Sequence, residues 1–316
     1  MRAYIIRRLL LLIPTLFFFS TIVFFSIRFL PGDAVDIFLS KHRTAQLDRD
    51  QVERQLGLDV PIYVQYGRWI SGILLRGDLG LSLENMRPVS EKIFPRSIPT
   101  LELGFVAMVV SVLFGLPIGI YSALRQDTTG DYITRSISIL FISTPEFFIA
   151  VLVMIYPVIW FGWAPSVTMI RWSEDPLGHL GMILVPGTVL GLLISGTTMR
   201  MMRTMMLEIL REDYIRTAWS KGLPEQLVVV RHALKNALIP VITIVGTQIP
   251  WMVGGAVIIE TIFAIPGLGT LMIDSIFSRD YTAVSGINMV VGTFMVMVNF
   301  LVDITYAWCD PRIQYQ

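Results

Sequence analysis

Six stretches of this chain are apolar for about twenty residues, the length at which a helix crosses the hydrocarbon of a bilayer. They are Leu9–Phe29, Leu101–Leu124, Ile137–Trp160, Met182–Met199, Ala237–Ile259 and Gly286–Trp308. Backbone inside lipid has no water to bond, so each run must satisfy its own N–H and C=O groups as a helix. The first run follows Arg2, Arg7 and Arg8, and Phe29-Leu30-Pro31-Gly32 beyond it is no small-x-small cleavage site. It reads as a retained helix and not a signal peptide. The weakest run, Ile137–Trp160, is interrupted by Pro145-Glu146 and Pro157 and reads as one kinked helix inside a bundle.

Composition closes the soluble alternatives. Hydrophobic residues are 54% of the 316 and charged residues 16%, against about 25% charged in soluble domains. One core of this size could not hide that much apolar surface. A net charge of +1 gives no basic field for nucleic acid, and the lone Cys309 allows neither an internal disulfide nor a cysteine metal site. The only lysines are Lys41, Lys92, Lys221 and Lys235, none of them after glycine, so the Gly-Lys of a phosphate-binding loop is missing. His-Glu-x-x-His and Gly-x-Ser-x-Gly are also missing, and the three histidines are scattered, so no catalytic residue and no metal ligand is assigned. Sixteen methionines, several between Met199 and Met206, read as packing filler.

Basic residues set an expected orientation. With the N-terminus inside, thirteen arginines and lysines fall in cytoplasmic segments, while the two short outer loops hold only Arg171 and Arg279. The positive-inside rule then puts both termini in the cytoplasm. Residues 31–100 become a long extracytoplasmic segment that is expected to be helical. Leu47–Leu58 reads as a short charged helix closed by Gly57, and the run after Pro61 carries Ile62, Tyr66, Trp69, Ile70, Ile73 and Leu74 at helical spacing before Gly77. The remaining division is a core over residues 101–309, with an inner segment at 200–236, and a tail over 310–316.

That inner segment carries the most information. The fourth span runs on past Arg200, Arg203 and Arg211, a second helix over Tyr214–Lys221 stops at Gly222, and Pro224 opens a third helix to Ala237. Ile215, Ala218 and Trp219 form the expected apolar side of this elbow. A loop that only fixed topology would need charge; this one adds Glu212-Asp213, an aromatic and a glycine stop. Polar residues within the spans are Gln248, Asn288 and Asn299, read as interhelical hydrogen-bonding groups and, secondarily, as substrate-path candidates. Glu102 and Glu260 lie at span ends, and Glu146 lies deepest.

The elbow resembles the Glu-Ala-Ala coupling loop of ATP-binding-cassette importer permeases. Ala218 and Gly222 match its second alanine and its glycine, whereas Arg216 and Thr217 replace the glutamate and first alanine. Asp213-Tyr214-Ile215-Arg216-Thr217-Ala218, Lys221-Gly222-Leu223, and His232-Ala233-Leu234-Lys235-Asn236-Ala237-Leu238 with Pro240 look like the dipeptide/oligopeptide/nickel permease version. Leu30-Pro31-Gly32-Asp33, Gly77-Asp78-Leu79-Gly80-x-Ser82, Pro99-Thr100-Leu101-Glu102-Leu103, Glu260-Thr261-Ile262-Phe263, Pro266-Gly267-Leu268-Gly269, Arg279-Asp280-Tyr281 and Asp310-Pro311-Arg312 add to the likeness in order.

The resemblance implies an all-α, six-span, MetI-like type I importer permease in a prokaryotic inner membrane. Its partners would be a second homologous permease subunit in a heterodimer, two cytoplasmic ATP-binding subunits and an extracytoplasmic solute-binding protein, with the lipid bilayer around it. It would hold no cofactor of its own, with ATP and Mg on the ATPase subunits. Glu212, Asp213, Tyr214, Ile215, Arg216, Thr217, Ala218, Lys221, Gly222 and Leu223 would be the coupling residues. The implied cargo is a dipeptide or oligopeptide, with a nickel chelate or oligosaccharide as alternatives within the family. A self-sufficient secondary transporter is the competing class; it would leave the elbow unexplained and would need midplane carboxylates.

Overall fold

The computed structural model describes residues 2–29, 34–41, 48–166 and 168–309. These residues form helices and connecting turns; the only β pairing among them is an isolated bridge between Leu81 and Pro88. In chain order the helices are α1 (Arg2–Arg28), α2 (Ala34–Lys41), α3 (Arg49–Gln55), α4 (Ile62–Arg76), α5 (Val89–Leu124), α6 (Thr129–Ser143) and α7 (Glu146–Phe161). They continue as α8 (Pro176–Leu210), α9 (Asp213–Ser220), α10 (Glu225–Leu227), a π-helical turn (Val228–Leu234), α11 (Lys235–Ile262), α12 (Leu268–Phe277) and α13 (Tyr281–Cys309). The Leu30–Asp33 and Asp310–Arg312 motifs lie outside the described residues.

Among the described residues five helices are long and apolar enough to cross a membrane, and α6 with α7 makes a sixth crossing if counted as one broken span. The kinked helix expected over Ile137–Trp160 is instead two helices bent by 98°. The cause is local. Pro145 has no N–H to donate and drives Thr144 into an extended conformation (ψ 127°), so α6 ends there and α7 restarts with Pro145 as its N-cap. The second span starts earlier than its apolar run: α5 begins at Val89 because Glu91, Lys92 and Arg96 lower local hydropathy without breaking the helix.

The chain divides into two compact units. The first holds Pro99–Ile265 with Met1–Ile5 and the chain from Met297 on. Its packing rests on glycine. A Cβ on Gly187 would meet Val106 at 2.6 Å, one on Gly191 the carbonyl oxygen of Ala107 at 2.6 Å, and one on Gly119 that of Met199 at 2.7 Å. Gly115-x-x-x-Gly119 and Gly187-x-x-x-Gly191 therefore let α5 and α8 approach nearly backbone to backbone. Gly246 permits the same close approach in α11: its Cβ would lie 2.5 Å from Val302. One apolar cluster joins Leu103, Ala107, Ala150, Leu190, Met252, Ala256 and Ile259. A second gathers Ala123, Met202, Met206, Ile215, Val228 and Ala233, where the two methionines are fully buried packing residues.

The second unit holds Ile6–Ile98 and Pro266–Val296. Here α1 packs on α4 through Phe24, whose ring is 5.2 Å from Tyr66 and 5.5 Å from Trp69, while the Ser20 hydroxyl lies 2.8 Å from the Tyr66 hydroxyl. The expected turns are present: Gly57 and Gly77 have φ of +66° and +64°, the left-handed conformation that ends α3 and α4.

Candidate functional site

The elbow is built from the ends of two long helices. The 35-residue α8 ends at Leu210, Arg211 caps it, and Glu212 turns extended to start α9. The eight-residue α9 has one apolar edge, where Ile215 is fully buried and Ala218 nearly so, against Met202, Met206, Val228, Val229 and Ala233. Gly222 then takes φ +76°, and no atom lies within 4 Å of where its Cβ would stand. Glycine is needed there for backbone conformation and not for space. Leu223, half-buried on the same cluster, and Pro224 lead into α10.

Two expectations about this segment change. The helix after Pro224 is not regular: Val228–Leu234 is a π-helical turn, so the chain is underwound between the elbow and α11. Trp219 is not on the packed side. It is 43% exposed although it lies only about 40° around the helix from Ile215, because the packed cluster covers the Ala218 flank of that face.

The surface so presented is polar with an aromatic centre. Glu212, Asp213, Tyr214, Arg216, Thr217, Lys221 and Gly222 are all exposed, whereas Ile215, Ala218 and Leu223 anchor from beneath. Tyr214 accepts a hydrogen bond at its hydroxyl from Asn236 Nδ2 at 2.8 Å, tying α9 to the start of α11. Arg216 and Asp213 are 3.3 Å apart but largely in solvent, where such a pair adds little stability.

The substrate-path candidates do not form one cluster. Gln248 meets Thr198 at 3.4 Å, and Thr198 meets Ser111 at 3.0 Å, a polar rung across α11, α8 and α5. Asn288 is half-buried and Asn299 exposed; both lie on α13, about 16 Å apart along its axis.

The carboxylates at span ends have structural partners. Glu260 is fully buried and accepts from the Thr100 hydroxyl at 2.5 Å, and Glu102 meets His179 Nε2 at 2.9 Å. In the second unit Asp280 accepts from the Ser82 hydroxyl and from the N–H groups of Leu83 (3.0 Å) and Ala283 (3.2 Å). Motifs far apart in sequence thus meet in pairs, Pro99-Thr100 with Glu260 and Gly80-x-Ser82 with Asp280. Glu146 is different: its Oε2 is the one buried side-chain polar atom with no hydrogen-bond partner among the described residues.

Sequence reasoning missed the strongest polar contact. Asp131, fully buried on α6, accepts from Arg203 Nε and Nη2 at 2.8 Å each, from the Ser122 hydroxyl at 2.5 Å and from Asp127 N at 3.0 Å. Arg203 had looked like one more topology charge. Among the described residues no group of three or more His, Cys, Asp or Glu is placed to hold a metal ion.

Long apolar helices, one crossing broken at a proline, and a short amphipathic helix slung between two of the longest define a multi-pass membrane transport protein. The chain belongs to the family of binding-protein-dependent transport system inner membrane components, whose profile matches residues 115–315, with its N-terminal companion matching residues 1–103. It is 37% identical, over 99% of both chains, to the glutathione transport system permease protein GsiC of Escherichia coli O6:H1. It is 36% identical over the same share to GsiC of Salmonella paratyphi A. The fold matches a chain of the inward-facing MetNI methionine ABC transporter with a TM-score of 0.56 at 16% identity, covering 67% of this chain and 94% of that one. An amino acid ABC transporter gives 0.53 at 16% identity, covering 69% and 94%. The expected MetI-like importer fold is therefore present. The chain is the membrane permease component of an ABC importer; it is a transport subunit and not an enzyme, and the ATPases of such systems are separate subunits.

Proposed function

We propose that this chain carries peptides inward across a prokaryotic inner membrane as one half of a permease heterodimer, driven by two cytoplasmic ATPases that grip the elbow at 212–223. The observation that carries the reading is the build of that elbow. Ile215, Ala218 and Leu223 fix α9 to the ends of α8 and α11, while Glu212, Asp213, Arg216, Thr217 and Lys221 are exposed around the rest of the elbow, with Trp219 exposed at the edge of the packed face. A short rigid helix anchored on one side and exposed on the other can move as a body with whatever holds it. Closure of the ATPase pair around ATP and Mg would shift it, and the continuous helices on either side would pass the shift to the spans.

The peptide cargo rests on the GsiC relatives, whose printed substrate, glutathione, is a short peptide. The orientation rests on the basic residues: both termini and residues 200–236 face the cytoplasm, and residues 31–100 face the side where a solute-binding protein delivers cargo. Gln248, Asn288 and Asn299 are the side chains we assign to the path. At 3.4 Å the bond between Gln248 and Thr198 is long enough to exchange for a peptide group.

Gly222→Asp tests this reading. Its φ of +76° disfavours any side chain, and the added carboxylate sits on the proposed contact. Peptide uptake and ATPase co-purification should both be lost while membrane insertion stays intact. Uptake that persists with the ATPase attached overturns the assignment.

A further inference from the structure

Away from the elbow, the first unit contains a cavity of about 280 Å³ between α5, α6 and α8 that none of the contacts above explains. Arg135, Arg200 and Arg203 stand around it, with Ile118, Ile139 and Met199 as apolar wall. Among the described residues the only acid bonded to this group is Asp131, which is spent on Arg203 by two bonds of 2.8 Å. Two positive charges are left over. Arg135 and Arg200 are exposed and have no ion-pair partner among the described residues; Arg135 only stacks 5.7 Å from the Tyr132 ring. The hydroxyls nearby do not compete for an anion: Ser138 donates to the Gly196 carbonyl, Thr204 to the Arg200 carbonyl and Ser122 to Asp131.

Position selects the ligand. Arg200 follows directly on the apolar run Met182–Met199, and Arg135 lies two residues before the run starting at Ile137. Two neighbouring helices therefore place a guanidinium where hydrocarbon gives way to water, the level of a lipid phosphate. Ile139, in the cavity wall, is 60% exposed, as is Leu140 beside it, so the cavity continues into a lipid-facing apolar surface. Basic recesses between membrane helices are general sites for anionic headgroups, and a planar guanidinium matches phosphate in two-point geometry.

We propose that this cavity binds the headgroup of an anionic phospholipid from the leaflet on the side of residues 200–236. Arg135 and Arg200 clasp the phosphate, Arg203 is held by Asp131 as the floor, and an acyl chain lies along Ile118, Ile139 and Met199. The lipid would then join α6 to α8, the helix that ends at the elbow.

The test is native mass spectrometry of the full-length chain, isolated with its partners and supplied with phosphatidylglycerol, phosphatidylcholine or inorganic phosphate. The expected result is a retained phosphatidylglycerol adduct in preference to phosphatidylcholine. At about fivefold per surface cation, Arg135→Gln/Arg200→Gln should weaken it by about 25-fold, whereas Arg135→Lys/Arg200→Lys should keep most of it. If the glutamine pair loses its monodispersity, Arg200→Gln alone should show about a fivefold loss. Equal retention of both lipids, wild-type retention in the glutamine variants, or displacement of the lipid by millimolar inorganic phosphate would each overturn the proposal.

Discussion

Replacing Asp131 by Ala should be among the most damaging single changes in the first unit. The side chain is wholly buried and accepts four hydrogen bonds, two of them from Arg203, whose own side chain is 19% exposed. Removing the acid leaves a mostly buried guanidinium with no counter-charge, which costs about 3–5 kcal/mol in comparable settings. The residual exposure of Arg203 puts the expected loss near the lower end, about 3 kcal/mol. For a chain of this size that corresponds to a fall in Tm of about 4–5 °C, read as loss of monodisperse protein on heating in detergent. The double variant Asp131→Ala/Arg203→Met removes the stranded charge with its partner and should recover at least half of the loss. If the double variant is as unstable as the sum of the two singles, the two side chains are not coupled and the account of this cluster is wrong.

Other consequences can be read off the same geometry. Gly191→Val would push a side chain into the Ala107 carbonyl oxygen, 2.6 Å from the Cβ position. Backbone cannot yield as a flexible side chain can, so folded protein should fall sharply on size-exclusion chromatography, while Gly162→Ala, strained in φ but with empty space around it, should cost only about 1 kcal/mol. In the second unit, Asp280→Ala orphans the N–H groups of Leu83 and Ala283 and should lower stability by about 2–3 kcal/mol, measured by the same thermal assay.

How much of this was legible depends on the range over which each feature is determined. The spans were legible because twenty apolar residues have few alternatives. The ends of α3, α4 and α9 were legible because Gly57, Gly77 and Gly222 decide a single φ angle. The depth of the break at Pro145 was not, since proline predicts a weak point but tertiary packing sets the 98° angle. Nor could sequence separate Trp219 from Ile215 and Ala218, because all three fall within about 100° of one face and only tertiary packing decides which of them is covered. The Asp131–Arg203 pair escaped for a further reason: each residue lies in a segment already explained by membrane topology, and 72 positions separate them. The two Gly-x-x-x-Gly motifs of α5 and α8 were readable, and a search for small-residue spacing within the spans would have found that interface.

The central claim, that α9 is where a separate ATPase grips this permease, is tested most directly by photo-crosslinking in intact membranes. A photoreactive residue at position 216 or 221, both on the exposed side of the elbow, should capture a nucleotide-binding subunit, with a yield that changes when ATP is added. The same probe at Leu113, exposed on α5, should capture none. Absence of any ATPase adduct from 216 and 221 in transport-competent membranes, or equal capture from 113, would contradict the account.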